Sequence, residues 1–195
     1  MMNFTLGHDA EVFLVDSEGQ AIPSIGLIGG NKIDPRRIDK GALQEDNVMA
    51  ELNIDPAKNV KEWIYNTKAV RKKLEQVISK HGLKIHIASF QQFKPKFLRS
   101  KQAKMFGCDP DYNIYTSERN EINSDFLLKN HQRTAGGHIH IGLENPNAHA
   151  NIRRVLVEAC DAYIGLPLAS VERGTRKKFY GKSGSYRTKS YGIEY

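Results

Sequence analysis

The stretch TAGGHIHIG, Thr134–Gly142, constrains the fold of this chain more than any other. Two glycines run into the alternation His138-Ile139-His140-Ile141, and on a strand residues i and i+2 share a face. Both isoleucines therefore need an apolar core, and both imidazoles must meet something polar. Gly136 and Gly137 leave room for a close backbone or ligand. Two further segments carry the same pattern with carboxylates. In HDAEVFLV, Asp9 and Glu11 share a face opposite Ala10 and Val12; in NVMAELNI, Glu51 and Asn53 share a face opposite Ala50, Leu52 and Ile54. If the three strands are neighbours in one sheet, five or six oxygen and nitrogen donors converge on one side. Clustered carboxylates repel one another unless cations neutralise them. A set dominated by oxygen, with imidazole added, suits magnesium or manganese better than four-coordinate zinc.

The rest of the chain reads as support for that sheet. Ala10–Val15 is expected to be a strand, followed by a turn at 17–20 and a hairpin return over Ala21–Ile25. Residues 26–42, rich in glycine and charge, read as an irregular loop. After the strand Asn47–Ile54, Asp55-Pro56 is expected to open a helix with proline in its first turn. Val60, Ile64, Thr67, Val70, Leu74, Val77 and Ile78 keep helical spacing as far as His81, and Gly82 ends the helix. In Leu83–Phe90 the core face is Leu83, Ile85 and Ile87, with His86 exposed. Residues 93–130 read as loop and short helix, including a turn at Asp109-Pro110-Asp111 beside two tyrosines. A second amphipathic helix spans Pro146–Ile164, with Ile152, Val155, Leu156, Ala159, Cys160 and Tyr163 as its buried stripe. This order predicts one α+β domain over residues 1–195, built on a mainly antiparallel sheet flanked by helices.

Charge and cysteine usage narrow the function classes. The net charge is +7, concentrated in Lys58–Lys104 and Arg173–Lys189. The first region resembles a solvated helix face, so a nucleic-acid partner is disfavoured against a diffuse basic surface. The second is dense in glycine and tyrosine, as a phosphate-handling loop would be: Arg187 offers a planar fork, Lys189 a point charge, and Gly181 and Gly184 close backbone approach. No apolar run is long enough for a membrane span, and the N-terminus lacks the pattern of a signal peptide. Cys108 and Cys160, without metal or redox spacing, read as reduced thiols of a cytoplasmic protein. From residues alone this is a sheet face for magnesium and a nucleoside triphosphate. A metal-dependent hydrolase and a basic polyanion-binding module are the alternatives.

Five segments in order, HDAEVFL, NVMAELNIDP, FGCDPDYNIYT, GGHIHIG and YGKSGSYRTKSYGIEY, resemble the phage-type carboxylate–amine ligases (COOH–NH2 ligase type 2), distant relatives of glutamine synthetase and γ-glutamylcysteine ligase. The resemblance implies a glutamine-synthetase-like domain that uses ATP and Mg2+ to phosphorylate a carboxylate, which an amine then attacks to give an amide. Small-molecule or peptide carboxylates and amines are the implied substrates. It implies metal binding by Asp9, Glu11, Glu51, His138 and Glu194, with Asp9 shorter than the usual glutamate. It gives Arg187 and Glu51 the catalytic roles, and places Arg187, Lys189, Arg176 and His140 near nucleotide, with Lys177 as a further phosphate contact. Asn53 is expected to orient Glu51 or touch substrate. In the family the last motif runs on past GIEY, so further chain beyond Tyr195 is expected.

Overall fold

The computed structural model describes residues 3–105, 111–120, 129–146, 151–171 and 181–195. The strands are β1 (Phe4–Val15), β2 (Ala21–Ile22), β3 (Arg36–Ile38), β4 (Gly41–Asp46), β5 (Met49–Ile54), β6 (Lys84–His86), β7 (Phe90–Gln92), β8 (Tyr112–Asn113), β9 (Gln132–Thr134), β10 (Ile139–Leu143), β11 (Ser185–Lys189) and β12 (Gly192–Glu194). The main sheet runs β3-β4-β5-β1-β10-β12-β11-β8, with β2 and β6 also paired to β1 and a separate β7-β9 pair. Every pairing among the described strands is antiparallel. With its helices this is the α+β architecture that the alternating segments predicted.

The long strand β1 sets the register of the others. Asp9 lies opposite Asn53 and Glu11 opposite Glu51, while Gly7 lies opposite His140. His140 in turn faces Glu194, and Glu194 faces Arg187. Residues directly opposite across a ladder share a face. One face of the sheet therefore carries nearly the whole set of predicted polar residues.

The other face is covered by helices. Helix α1 (Val60–Ile78) lays Val70, Leu74 and Ile78 onto Val12, Leu14, Leu43, Leu52 and Ile54, and Trp63 packs at the margin. Its start is set by Asn59, whose side chain accepts from the Glu62 N–H at 3.0 Å, while Glu62 accepts from the Lys58 N–H at 2.8 Å. This Asn-x-x-Glu exchange resembles a capping box. Pro56 thus precedes the helix instead of lying in its first turn, and Val60 and Ile64 at the N-terminal end are exposed. Gly82 closes the end in the left-handed region, as its lack of a side chain allows.

After a short α2 (Lys101–Lys104), helix α3 (Ile152–Cys160) buries Val157 and Cys160 against Ile141 and Ile193. The predicted stripe is rotated: Val155 and Tyr163 point to solvent, Tyr163 with 83% exposure. Residues Asp161–Gly165 form a π-helical turn before α4 (Leu166–Val171), and the extra residue per turn moves Tyr163 out of the 3.6-residue repeat; Val155 precedes that turn, in α3, where Val157 and Cys160 take the buried face.

Two other expectations change. The segment read as irregular contains the β3–β4 hairpin, and β6 ends at His86, leaving Ile87 73% exposed and His86 half-buried. A smaller core closes one end of the polar face, where Phe13 and Met49 meet Phe93, Leu98 and Ala103. Among the described residues no helix is long and apolar enough to cross a membrane.

Candidate active site on the polar sheet face

The close approach of GGH to β1 builds the centre of the site. A Cβ on Gly137 would lie 3.0 Å from Ala10 Cα and 3.3 Å from the Asp9 carbonyl oxygen, so a side chain here would push β1 or the turn aside by a few tenths of an ångström. The two acids of β1 then take the backbone donors of this turn. The Gly136 N–H donates to Glu11 Oε2 at 2.8 Å, and the His138 N–H to Asp9 Oδ1 at 2.6 Å. GGH is thereby fixed by the carboxylates that the sequence marks as ligands.

Two groups of metal-competent side chains result. In the first, Asp9, His138 and Glu194 bring one donor atom each within 4.8 Å of one another. His138 Nδ1 is 3.0 Å from Asp9 Oδ1 and 3.6 Å from Glu194 Oε1, and His140 Nε2 is 3.1 Å from Asp9 Oδ2. Glu194 is buried between two cations, in contact with Arg187 and 2.5 Å from Lys189 Nζ. Burial raises the Asp9 carboxyl, but the hydrogen bonds and charge of His138 and His140 outweigh it and hold the group well below the usual carboxylate range. His140 Nδ1 is also hydrogen-bonded to the Tyr191 hydroxyl at 2.5 Å, and burial pushes that phenol up to about 12.

The second group differs in charge balance. Glu11, Asp46 and Glu51 bring their oxygens within 4.8 Å, and the hydrogen bonds they receive come from neutral donors. Gln44 Nε2 donates to Glu51 Oε2 at 2.8 Å, and Gly136 to Glu11 as above. Burial beneath the Phe13 core, followed by repulsion from Asp9 and Asp46, pushes Glu51 up to about 7. Burial and Asp46 push Glu11 well above the ordinary range. Glu11 and Glu51, crowded with Asp46 and resisting ionisation, are what a divalent cation with oxygen ligands would relieve.

Asp9, Glu11, Glu51, His138, His140, Arg187, Lys189 and Glu194 therefore lie together on one face, with Asn53 opposite Asp9 in the ladder. Arg176 and Lys177, like Cys108 and the start of the Asp109–Asp111 turn, lie outside the described residues. The sequence reading missed Asp46 and Gln44 because it missed β4. One signal was present: Asn47 supplies the left-handed residue of the turn into β5.

It also missed Asp161. That carboxylate accepts from the hydroxyls of Tyr115 (2.7 Å), Ser183 (2.7 Å) and Tyr195 (2.8 Å) and from the Gly184 N–H (2.9 Å). Gly184 was read as space for a phosphate. Its N–H instead binds this carboxylate, and a Cβ there would meet the Tyr115 ring at 2.6 Å.

Buried acids, two histidines and a cationic edge on an antiparallel sheet describe the carboxylate–amine ligases, enzymes that form C–N bonds, and comparison with known families agrees. Residues 5–161 match the model of glutamate–cysteine ligase family 2, and the chain belongs to that family. Residues 128–195 match the phage phiEco32-like COOH–NH2 ligase type 2 model, covering GGHIHIG and the last hairpin. No individual curated protein matches the chain.

Proposed function

We propose that this ligase consumes ATP with Mg2+, or Mn2+ in its place, and forms an amide through an acyl phosphate, acting in the cytoplasm on small-molecule or peptide substrates. The observation that carries this reading is the group Glu11–Asp46–Glu51, buried or half-buried acids of which Glu11 and Glu51 accept from neutral donors, joined through β1 to Asp9, His138 and Glu194. The donor set fits magnesium: oxygen predominates, and charge is in excess in the second group. Glu11, Glu51 and Asp46 would hold one ion, and Asp9, His138 and Glu194 another. Bound there, magnesium would offset charge on the phosphates during transfer.

The chain's own residues then divide the work. A substrate carboxylate oxygen displaces ADP from the γ-phosphorus, and the amine nitrogen attacks the resulting carbonyl and releases phosphate. Arg187 would meet the transferring phosphoryl group, exchanging part of its contact with Glu194 for it. Lys189, paired with the same carboxylate, supplies a second positive charge, and His140 would contact the nucleotide. Glu51, held by Gln44, would keep a fixed orientation toward its ion.

The test is magnesium-dependent ADP release from ATP with pooled carboxylates and pooled amines, beside Glu11→Gln. ADP that needs both pools and disappears in the variant is expected. ADP release that is indifferent to the amine pool, or to Glu11→Gln, would overturn the reading.

A further inference from the structure

The polar face is closed at the Phe13 end, and at its other end it opens into a groove. An inner cavity of about 270 Å³ begins at His140 and runs along Gly7, Thr5, Gly142 and Tyr191. An outer one of about 620 Å³ shares Thr5, Gly142 and Tyr191 with it and continues to Phe4, Lys58 and Glu144. The floor is paved by residues without side chains, Gly7 and Gly142, on the face that carries Asp9 and His140.

Charge gives this groove a direction. Its inner end is lined by His140, whose Nε2 lies 3.1 Å from the Asp9 carboxylate. At the outer end Glu144 accepts from Asn3 at 3.1 Å, whereas the Lys58 side chain forms no ion pair among the described residues. The position of Lys58 is set by its backbone N–H to Glu62 and by the bridge of neighbouring Ala57 to Leu6. Lys58 therefore stands beside Thr5, four residues along β1 from Asp9, and at about 3.3 Å per strand residue that is roughly 13 Å. An extended peptide of three to four residues spans about that length.

We propose that the groove takes the amine substrate as a short extended peptide, its amino end at Asp9–His140 and its free C-terminal carboxylate at Lys58. This rests on the ligase reading and names the size and polarity of one substrate. Tyr191 faces the inner cavity with its hydroxyl on His140, where it offers an oxygen to the incoming ammonium. Gly7 keeps the floor open: an added Cβ meets nothing nearer than His140 Cβ at 3.5 Å, so the backbone tolerates a side chain and the groove receives it.

The experiment compares free amino acids with random di-, tri- and tetrapeptide pools, and with the tetrapeptide pool amidated at its C-terminus. Each is measured by ADP release with pooled carboxylates, and by equilibrium dialysis read by mass spectrometry. Tetrapeptides are expected to half-saturate at a concentration at least ten-fold lower than free amino acids, and amidation to remove most of that advantage. Lys58→Ala should erase the difference between acid and amide, and Gly7→Val should raise the half-saturating peptide concentration about ten-fold. Equal saturation by amino acids and peptides, no effect of amidation, or unchanged discrimination in Lys58→Ala would overturn the groove while leaving the ligase intact. If no pool supports ADP release, the ligase reading fails and dialysis decides the groove. Retention of free tetrapeptides over their amides supports it, and no retention overturns it.

Discussion

Glu51 shows how much of the site is decided by the surroundings of single residues. Its carboxyl ordinarily titrates near 4.5 and is pushed up to about 7 in the folded chain. Between those values the folded state holds a proton that the unfolded state releases. The stabilisation from neutral Glu51 is therefore full below pH 4.5 and is lost as the pH rises through 7, by up to about 3 kcal/mol. Urea unfolding of chelator-treated protein should show a lower midpoint at pH 8 than at pH 5, with Glu51→Gln much flatter. Magnesium added at pH 8 should recover stability by binding only the folded chain. A wild-type midpoint that does not fall between pH 5 and 8 would contradict the shift. At this scale the acids of β1 and β5 were legible, because alternation with Ala10, Val12, Leu52 and Ile54 assigns their face. Asp46 was not, since its partner is set by a hairpin whose register depends on Asn47 adopting positive φ.

At the scale of elements, the site depends on how closely GGH lies on β1. Gly137→Ala places a methyl group 3.0 Å from Ala10 Cα, so β1 or the turn must shift. Because His138 and Gly136 donate to Asp9 and Glu11 through this contact, metal affinity should fall at least ten-fold, measured by Mn2+ titration. Unaltered affinity would show that the turn is not what sets the acids. The last hairpin has its own anchor. Asp161→Ala leaves three hydroxyls and one N–H without their acceptor, and a loss of about 2 kcal/mol is expected from partly exposed bonds of this kind. Thermal unfolding checks it, and a change within ±0.5 kcal/mol, the range of an ordinary surface substitution, would contradict it. Helix α1 was legible from its period, whereas the exposure of Tyr163 just beyond α3 was not, because a π-turn leaves no mark in a 3.6-residue pattern. Asp161 was missed because its donors, Tyr115, Ser183, Gly184 and Tyr195, lie far from it in sequence.

For the molecule as a whole, two helical layers cover one face of the sheet and leave the other to chemistry. Val70, Leu74 and Ile78 join α1 to the apolar side, so Leu74→Ala should cost about 3 kcal/mol, measured by urea unfolding. Such a variant is expected to keep its magnesium affinity while folded, because the packing lies behind the sheet. A loss of affinity in the folded state would show that the two faces are coupled. The antiparallel order was legible in broad form because three alternating strands must share one core. What the sequence did not show is the closure of the polar face at Phe13 and its opening at Thr5, which require knowing which strands are neighbours.

The most direct measurement is the fate of the substrate carboxylate oxygen. The carboxylate pool is labelled with 18O and the phosphate released during turnover is examined by mass spectrometry. An acyl phosphate transfers one carboxylate oxygen to phosphate each time an amide forms, so singly labelled phosphate in step with ADP is the expected result. Unlabelled phosphate accompanying amide formation would contradict the acyl-phosphate route.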